Sequence, residues 1–242
     1  MSFSEDTHLR LEAVSVDYGN HIGVQDVSLD IPRGDIFALV GDHGAGKTTI
    51  TRVLCGAIRP DSGSIFVDGR RYDYLTPQRA IRLGIVAIHQ DMMVVPALSA
   101  YENLFLNREK RKGLFQLDHS SMQKRMHEAL RTLGAGDLDI HRPIGEYRRD
   151  RQQLIELARI ICFPANTIII DEISARLSPS ILENIHHILS VLRNQGSTVL
   201  YISHDMGEVV DFSSRIAVMR NGTINQVVSA SDVNELQLMQ LT

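Results

Sequence analysis

The sequence predicts an α/β protein with three parts: a mostly parallel core sheet, an N-terminal antiparallel β subdomain and an inserted helical subdomain. Three observations predict it. The last third alternates helical stretches with short, wholly apolar runs such as TIII at 167–170, the pattern of a parallel sheet covered by helices. The first 70 residues instead hold strands that alternate apolar and polar residues between turns. From Ala100 to about Arg149 strand signals vanish, and YENLFL and MQKRMHEALRTLG read as helices with polar faces.

Each element follows from its local pattern. LRLEAVSVDY, Leu9 to Tyr18, alternates as a half-buried strand does. A second strand, Val24 to Ile31, is closed by Pro32 and the turn Arg33-Gly34. Ile36 to Val40 is apolar throughout, as expected of a strand covered on both faces, and it feeds a Gly-rich turn and a helix from Lys47 to about Cys55. RPDSGSIFVDG sets a short strand, Ser64 to Asp68, between two turns. A short helix from Pro77 to Leu83 leads into the strand Ile85 to Ile88. After the helical insertion come a strand (Thr167 to Asp171), a helix (Pro179 to Asn194), a strand (Thr198 to Ile202), another helix, and a strand (Arg215 to Met219). The turn Asn221-Gly222 introduces a last strand and helix. The expected organisation is one domain over 1–242, with core and β subdomain at 1–99 and 150–242 and the helical subdomain at 100–149.

Composition narrows the function classes. The chain has 242 residues, 43% of them hydrophobic, enough for a substantial core. Its formal charge of -4 provides no global basic field for nucleic acid. Cys55 and Cys162 sit far apart in apolar stretches, which argues for a reducing compartment and against a disulfide scaffold. The polar start MSFSEDTHLRLE lacks an apolar signal core, and the apolar runs are too short to cross a bilayer. A soluble chain is expected, reaching a membrane only through a partner.

GDHGAGKTT, spanning Gly41, Asp42, His43, Gly44, Ala45, Gly46, Lys47, Thr48 and Thr49, fits G-x-x-x-x-G-K-[ST]. Glycines let consecutive amides curl around a phosphate, where a Cβ would obstruct. Lys47 supplies a point charge for the β and γ phosphates and Thr48 a hydroxyl for Mg²⁺, while the helix that starts there adds free amide donors. ATP and Mg²⁺ are the implied cofactors, in a P-loop NTPase. A loop can bind nucleotide without hydrolysing it, so the acids matter. Asp171 and Glu172 end a buried strand, at the sheet edge where ligands of parallel sheets bind. Asp171 is suited to hold Mg²⁺ through water and Glu172 to orient or deprotonate the attacking water. His204 ends the next strand as a γ-phosphate contact. Gln90, closing GIVAIHQ, is the candidate for reaching Mg²⁺ and that water. A solvated carboxylate pair, a structural histidine and a plain loop glutamine are the bland alternatives.

The ordered set resembles the nucleotide-binding ATPase subunit of ABC transporters over nearly the whole chain, Leu9 to Val228. Tyr18 matches the aromatic that stacks on adenine, Gly41 to Thr49 the phosphate loop, and Gln90 the glutamine loop. Asp171 and Glu172 match the magnesium aspartate and catalytic glutamate, and His204 the switch histidine. GIVAIHQDMMVVPALSAYENLFLNRE, RQQLIELARI and VLYISHDMGEVVDFSSRIAVMRNG look most like the sugar-import branch, of ribose and galactose type. Many members of that branch fuse two such domains, and the length here suits one. The resemblance implies a second ATP-binding domain, in a homodimer or heterodimer, with two ATPs sandwiched between. It also implies transmembrane permease subunits docked near 91–105, with Met92, Met93, Val94, Val95 and Leu98 as the apolar contact; core is the bland alternative for that run. A solute-binding protein would take part indirectly. The expected place is cytoplasmic, peripheral on the inner face of the cell membrane.

Two departures from the family pattern stand out. The signature is usually Leu-Ser-x-Gly-Gln, but Tyr147, Arg148, Arg149, Asp150 and Arg151 occupy those positions. Gln152, Gln153, Glu156, Ala158 and Arg159 keep the helix that follows, so the register holds. No serine hydroxyl or glycine remains there for a γ-phosphate. The cluster reads as a solvated charged cap, as a guanidinium clamp substituting for the lost donors, or as a partner-binding patch. In addition, Asp171-Glu172-Ile173-Ser174-Ala175-Arg176-Leu177 has Arg176 where the family has a small residue. Groups acting on the chain's own ATP are kept, whereas those offered to a partner's ATP are eroded. The function expected is an ATP-hydrolysing subunit powering an ABC transporter, with sugar as cargo. The alternatives are a catalytically weak or regulatory subunit needing a partner with an intact signature, or a soluble non-transport ATPase of this type.

Overall fold

The computed structural model describes residues 7–88, 94–112, 116–173 and 177–242. Gln90, Met92, Met93 and Arg176 therefore lie outside the described residues. The chain divides into two units. The first comprises Met1–Ala87, Ala165–Ile173 and His186–Thr242, the second Ile88–Pro164 and Ser174–Ile185. The second unit is wider than the 100–149 expected from the loss of strand signals.

The first unit opens with β1 (Thr7–Asp17) and β2 (Ile22–Pro32), paired antiparallel. Alternation in β1 breaks where Ala13 takes φ +51 and the register shifts between Leu11 and Val14, so a bulge turns both Leu11 and Val14 inward. Then come β3 (Ile36–Val40), α1 (Lys47–Leu54), β4 (Ser62–Val67), β5 (Arg70–Tyr72), α2 (Pro77–Arg82) and β6 (Ile85–Ile88). Strands β2-β1-β4-β5 make the antiparallel sheet of the N-terminal subdomain.

In the second unit, α3 (Ala100–Phe105), α4 (His119–Thr132) and α5 (Arg149–Cys162) pack on one another. Met126, Ala129 and Leu130 of α4 and Leu157 and Ala158 of α5 are fully buried. A short antiparallel pair, β7 (Arg111–Lys112) with β8 (Gln116–Leu117), lies within the stretch where strand signals vanish in the sequence. Strands of two residues are too short to leave a period-2 pattern. The segment before α3 is pinned by one buried side chain. Asn103 Oδ1 accepts from the Val95 amide at 2.7 Å, and Nδ2 donates to the carbonyls of Val95, Leu98 and Ser99, each at 3.0 Å.

Back in the first unit run β9 (Thr167–Asp171), α6 (Pro179–Asn194, begun in the second unit), β10 (Thr198–Ile202), α7 (Met206–Phe212), β11 (Arg215–Arg220), β12 (Thr223–Ser229) and α8 (Glu235–Leu241). The core sheet has the order β12-β11-β3-β10-β9-β6. β11, β3, β10 and β9 run parallel, and β12 closes the edge antiparallel to β11. Every residue of β3, β9 and β10 is buried, which is why these strands read as continuous apolar runs. Burying each of Ile168, Ile169 and Ile170 contributes about 1.5–3 kcal/mol. Because β3, β10 and β9 are neighbours and parallel, the loops after Val40, Ile202 and Asp171 open on the same edge.

Candidate active site

The turn after β3 is built by glycine where nothing else fits. Gly41 has φ +151, and a Cβ there would lie 2.2 Å from the Met219 carbonyl oxygen. Gly46, with φ +105, caps α1, and its Cβ would lie 2.6 Å from the Gly23 carbonyl oxygen. The loop between them is tied down by Ala45, whose amide donates to Asp42 O at 3.1 Å and whose carbonyl accepts from the Gly222 amide at 3.1 Å. Asp42, His43 and Gly44 stay exposed. The first turn of α1 has neither an acidic residue nor a side-chain cap, so its amide donors face no competing carboxylate of their own helix.

Lys47 is buried at the start of α1. Its Nζ donates to Gly41 O at 2.7 Å and Asp42 O at 3.0 Å, and lies 3.8 Å from Glu172 Oε1. Burial pulls its pKa below the usual lysine value, opposed by Glu172, Asp171 and Asp42. Thr48 is exposed beside it. Asp171, the last residue of β9, is 1% exposed. Thr51 Oγ1 donates to its Oδ2 at 3.2 Å, whereas Oδ1 has no hydrogen-bond partner among the described residues. Burial pushes the Asp171 carboxyl up to about 6; Thr51 lowers it, Glu172 raises it, and Lys47 and Arg52 lower it.

Glu172 takes φ +52, uncommon for a residue with a Cβ, while its amide donates to Ile202 O at 2.9 Å. That twist accompanies a short contact, His204 Nε2 to Glu172 Oε1 at 2.6 Å. The His204 ring stacks on that of His43, with centroids 4.6 Å apart and planes within 6°. Behind His204 a polar cluster anchors the strand end. Ser203 Oγ donates to Glu208 Oε2 at 2.6 Å, Tyr201 Oη donates to Glu208 Oε1, and His186 Nε2 lies 3.0 Å from both Tyr201 Oη and Glu208 Oε1. Burial and Glu208 together push the Tyr201 phenol upward.

Tyr18 follows β1 and is 37% exposed. Its Oη lies 3.4 Å from Thr49 Oγ1 and its ring stacks on His21 at 4.9 Å. Gly23 makes room for it, since a Cβ there would lie 2.6 Å from Tyr18 Cε2. The phosphate loop, Asp171, Glu172, His204 and Tyr18 thus belong to the first unit. Thr51, Ser203, Glu208, His21 and Gly23 were missed from sequence. Only Glu208 left a local signal there, three residues after the helix cap Asp205.

Tyr147 to Arg151 lie in the second unit. Tyr147 Oη donates to Asp139 O at 2.7 Å, and Gln152 Nε2 donates to Ile144 O at 3.0 Å and Tyr147 O at 2.8 Å. Arg148 caps α5 without a side-chain hydrogen bond to the helix, and its side chain is 89% exposed. Arg148 and Asp150 form a loose pair at 3.8 Å, and Arg151 pairs with Asp137 at 3.2 Å. Cations at a helix N-terminus cost roughly 0.3–1 kcal/mol each, which Asp150 in the first turn partly offsets.

A family model described as "ABC transporter" matches residues 24–175, well over half of the chain. The chain belongs to the ABC transporter family. The ribose import ATP-binding protein RbsA of Geobacillus kaustophilus is 34% identical to this ABC transporter chain over 232 residues, covering 96% of it and 47% of the relative. A putative ribose/galactose/methyl galactoside import ATP-binding protein of Pseudomonas syringae pv. tomato is 32% identical over 215 residues, covering 89% and 41%. The chain therefore spans about half the length of the curated relatives it matches. Among solved structures, a nucleotide-free ATP-binding cassette from an ABC transporter superposes with a TM-score of 0.80 at 22% identity, covering 97% of this chain and 94% of that one. The ADP- and phosphate-bound dimer of the cassette MJ0796 gives 0.79 at 21%, covering 92% and 98%. The fold is that of ABC-type ATP-binding cassettes, and family and fold together imply nucleotide binding. Among the described residues no helix is long and apolar enough to cross a membrane.

Proposed function

We propose that this chain binds MgATP at the edge of β3, β9 and β10 and hydrolyses it to drive a sugar-import ABC transporter. The observation that supports this best is the convergence on Glu172: its Oε1 lies 2.6 Å from His204 Nε2 and 3.8 Å from Lys47 Nζ, directly beside the phosphate loop. The phosphate-loop amides and Lys47 hold the β and γ phosphates, which requires Lys47 to exchange its bonds to Gly41 O and Asp42 O for phosphate oxygens. Thr48 and Asp171 fit Mg²⁺: a hydroxyl in the open and a carboxylate oxygen, Oδ1, with no hydrogen-bond partner among the described residues. Bound there, the ion neutralises charge on the phosphates. Gln90 completes that set in the same reading. Glu172 accepts a proton from the attacking water, and His204, released from Glu172, donates to the γ-phosphate. Tyr18 stacks on adenine. Sugar import is carried over from the ribose and galactose relatives. With it come a partner ATP-binding domain, a permease docked near 91–105 and a position on the inner face of the cell membrane.

A second reading rests on the residues at 147–151. Arg148 is exposed and bonds only loosely to Asp150, which favours a charged cap rather than a preformed phosphate clamp. In that reading the chain turns over slowly as a homodimer and needs a partner with an intact signature. Steady-state ATP turnover of the purified chain, alone and with its permease, tests both, with Glu172→Gln as the reference. Turnover at the level of Glu172→Gln in every setting would remove the hydrolase reading.

A further inference from the structure

Besides the roles proposed for Glu172 and His204 toward nucleotide, the mouth of the phosphate loop brings beside them a third metal-ligating side chain, His43, that phosphate chemistry does not require. We propose that His43, Glu172 and His204 form a binding site for a divalent transition-metal ion, of the Zn²⁺ or Co²⁺ class, in the nucleotide-free chain.

The two imidazoles and the carboxylate each offer one ligand atom, and these atoms lie within 4.8 Å of one another. A single ion with bonds of about 2.0–2.2 Å in tetrahedral geometry needs its donors roughly 3.5 Å apart, so closure takes about an ångström of side-chain movement. The two outer groups are free to make it. His43 is exposed on the loop and His204 is 36% exposed; their rings are stacked with planes within 6°, so one ring must turn out of the stack to bring both in-plane lone pairs onto one ion. The third donor hangs from a fixed backbone: Glu172 sits at φ +52 with its amide bonded to Ile202 O. The ion takes the place of the hydrogen between His204 Nε2 and Glu172 Oε1, which leaves to solvent.

Charge permits a further cation here. Asp42, Asp171 and Glu172 act on Lys47, and Arg52 is the other cation acting on Asp171, so carboxylates outnumber cations. Two imidazoles with one carboxylate select zinc, cobalt, nickel or copper over Mg²⁺, which prefers an all-oxygen set. Three protein ligands leave a fourth position open to water.

The test uses tag-free, nucleotide-free protein titrated with Co²⁺ and followed by visible d–d absorption. One equivalent bound with tetrahedral bands, displaced by Zn²⁺, is expected. His43→Ala and His204→Ala should each weaken binding roughly tenfold or more, since even a ligand's supporting group is worth 10- to 100-fold. Zn²⁺ titration of the wild-type chain followed by its imidazole NMR signals gives a second readout independent of how the variants fold. His43 and His204 should shift first. Wild-type affinity in both variants, a sulfur-to-cobalt band that places the ion on Cys55 or Cys162, or first shifts at other histidines would each overturn the site. MgATP binding measured in cobalt-free buffer reports on the nucleotide reading separately. A chain that binds MgATP but no Co²⁺ loses only the metal site, and the converse loses only the nucleotide reading.

Discussion

The Thr51 hydroxyl donates to Asp171 Oδ2 at 3.2 Å while Asp171 Oδ1, equally buried, has no hydrogen-bond partner among the described residues. Half of that carboxylate is satisfied by the fold and half is held in reserve. The cost of the reserve shows in the proton affinity of Asp171, raised to about 6 chiefly by burial.

Stability of the nucleotide-free chain should therefore carry an Asp171 signature. The folded state binds this proton more tightly than the unfolded chain, whose aspartates titrate near 3.8. The penalty is absent below about pH 4, grows as pH rises to about 6, and is constant above. A shift of this size corresponds to about 3 kcal/mol at most. Asp171→Asn should melt higher than wild type at pH 7, with the gap closing by pH 4. Adding Mg²⁺ and ATP should raise the wild-type Tm more than the variant's, because the ion favours the charged carboxylate. Equal Tm values across pH 4–7 would show that Asp171 pays no such penalty.

Lys47→Ala should abolish tight ATP binding. It removes the one charge the phosphate loop directs at the phosphates, a contact worth on the order of 2–4 kcal/mol, or roughly 30- to 1,000-fold in affinity. Equilibrium titration with labelled ATP in Mg²⁺ measures it, and near-unchanged affinity would sink the assignment of the loop.

Tyr18 should govern affinity modestly and turnover hardly at all. Its ring is exposed beside Thr49 and stacked on His21, available to a flat ligand. Tyr18→Ala should cost about 1–3 kcal/mol of ATP binding, as stacking on aromatics does elsewhere. Tyr18→Phe should cost little, because it keeps the ring and loses only a 3.4 Å contact to Thr49 Oγ1. The two variants measured together decide it: a large loss in Tyr18→Phe would mean that the hydroxyl, not the ring face, matters.

The parts of the site visible in the sequence are those whose chemistry demands fixed spacing. Gly41, Gly46 and Lys47 follow from what a phosphate requires of a backbone turn, and Asp171 and His204 from ending, or lying two residues past, strands whose apolar runs mark them as buried. Thr51 and Glu208 escaped notice because their partners are distant in sequence or cross elements: Thr51 meets Asp171 120 residues away. The hairpin β7–β8 escaped because two-residue strands carry no periodicity. The bulge at Ala13 was equally silent, since alanine at φ +51 looks like any other alanine on paper.

Restoring the signature is the sharpest test of the proposed function, because it acts on the residues that depart from the family pattern. Tyr147-Arg148-Arg149-Asp150-Arg151 would be replaced with Leu-Ser-Gly-Gly-Gln and ATPase rate measured against protein concentration. In the wild type the N-terminus of α5 presents an exposed Arg148 and a weak pair with Asp150, and no hydroxyl or glycine amide for a partner's nucleotide. A recovered donor to the transferring phosphate is worth roughly 3 kcal/mol at best, or about 100-fold in turnover. The gain should rise faster than linearly at low protein concentration, since the proposed composite site takes two chains, and it should vanish with Glu172→Gln. A variant that turns over no faster than an already active wild type would mean that the arginines are an effective clamp, and the eroded-signature reading would fall with that result.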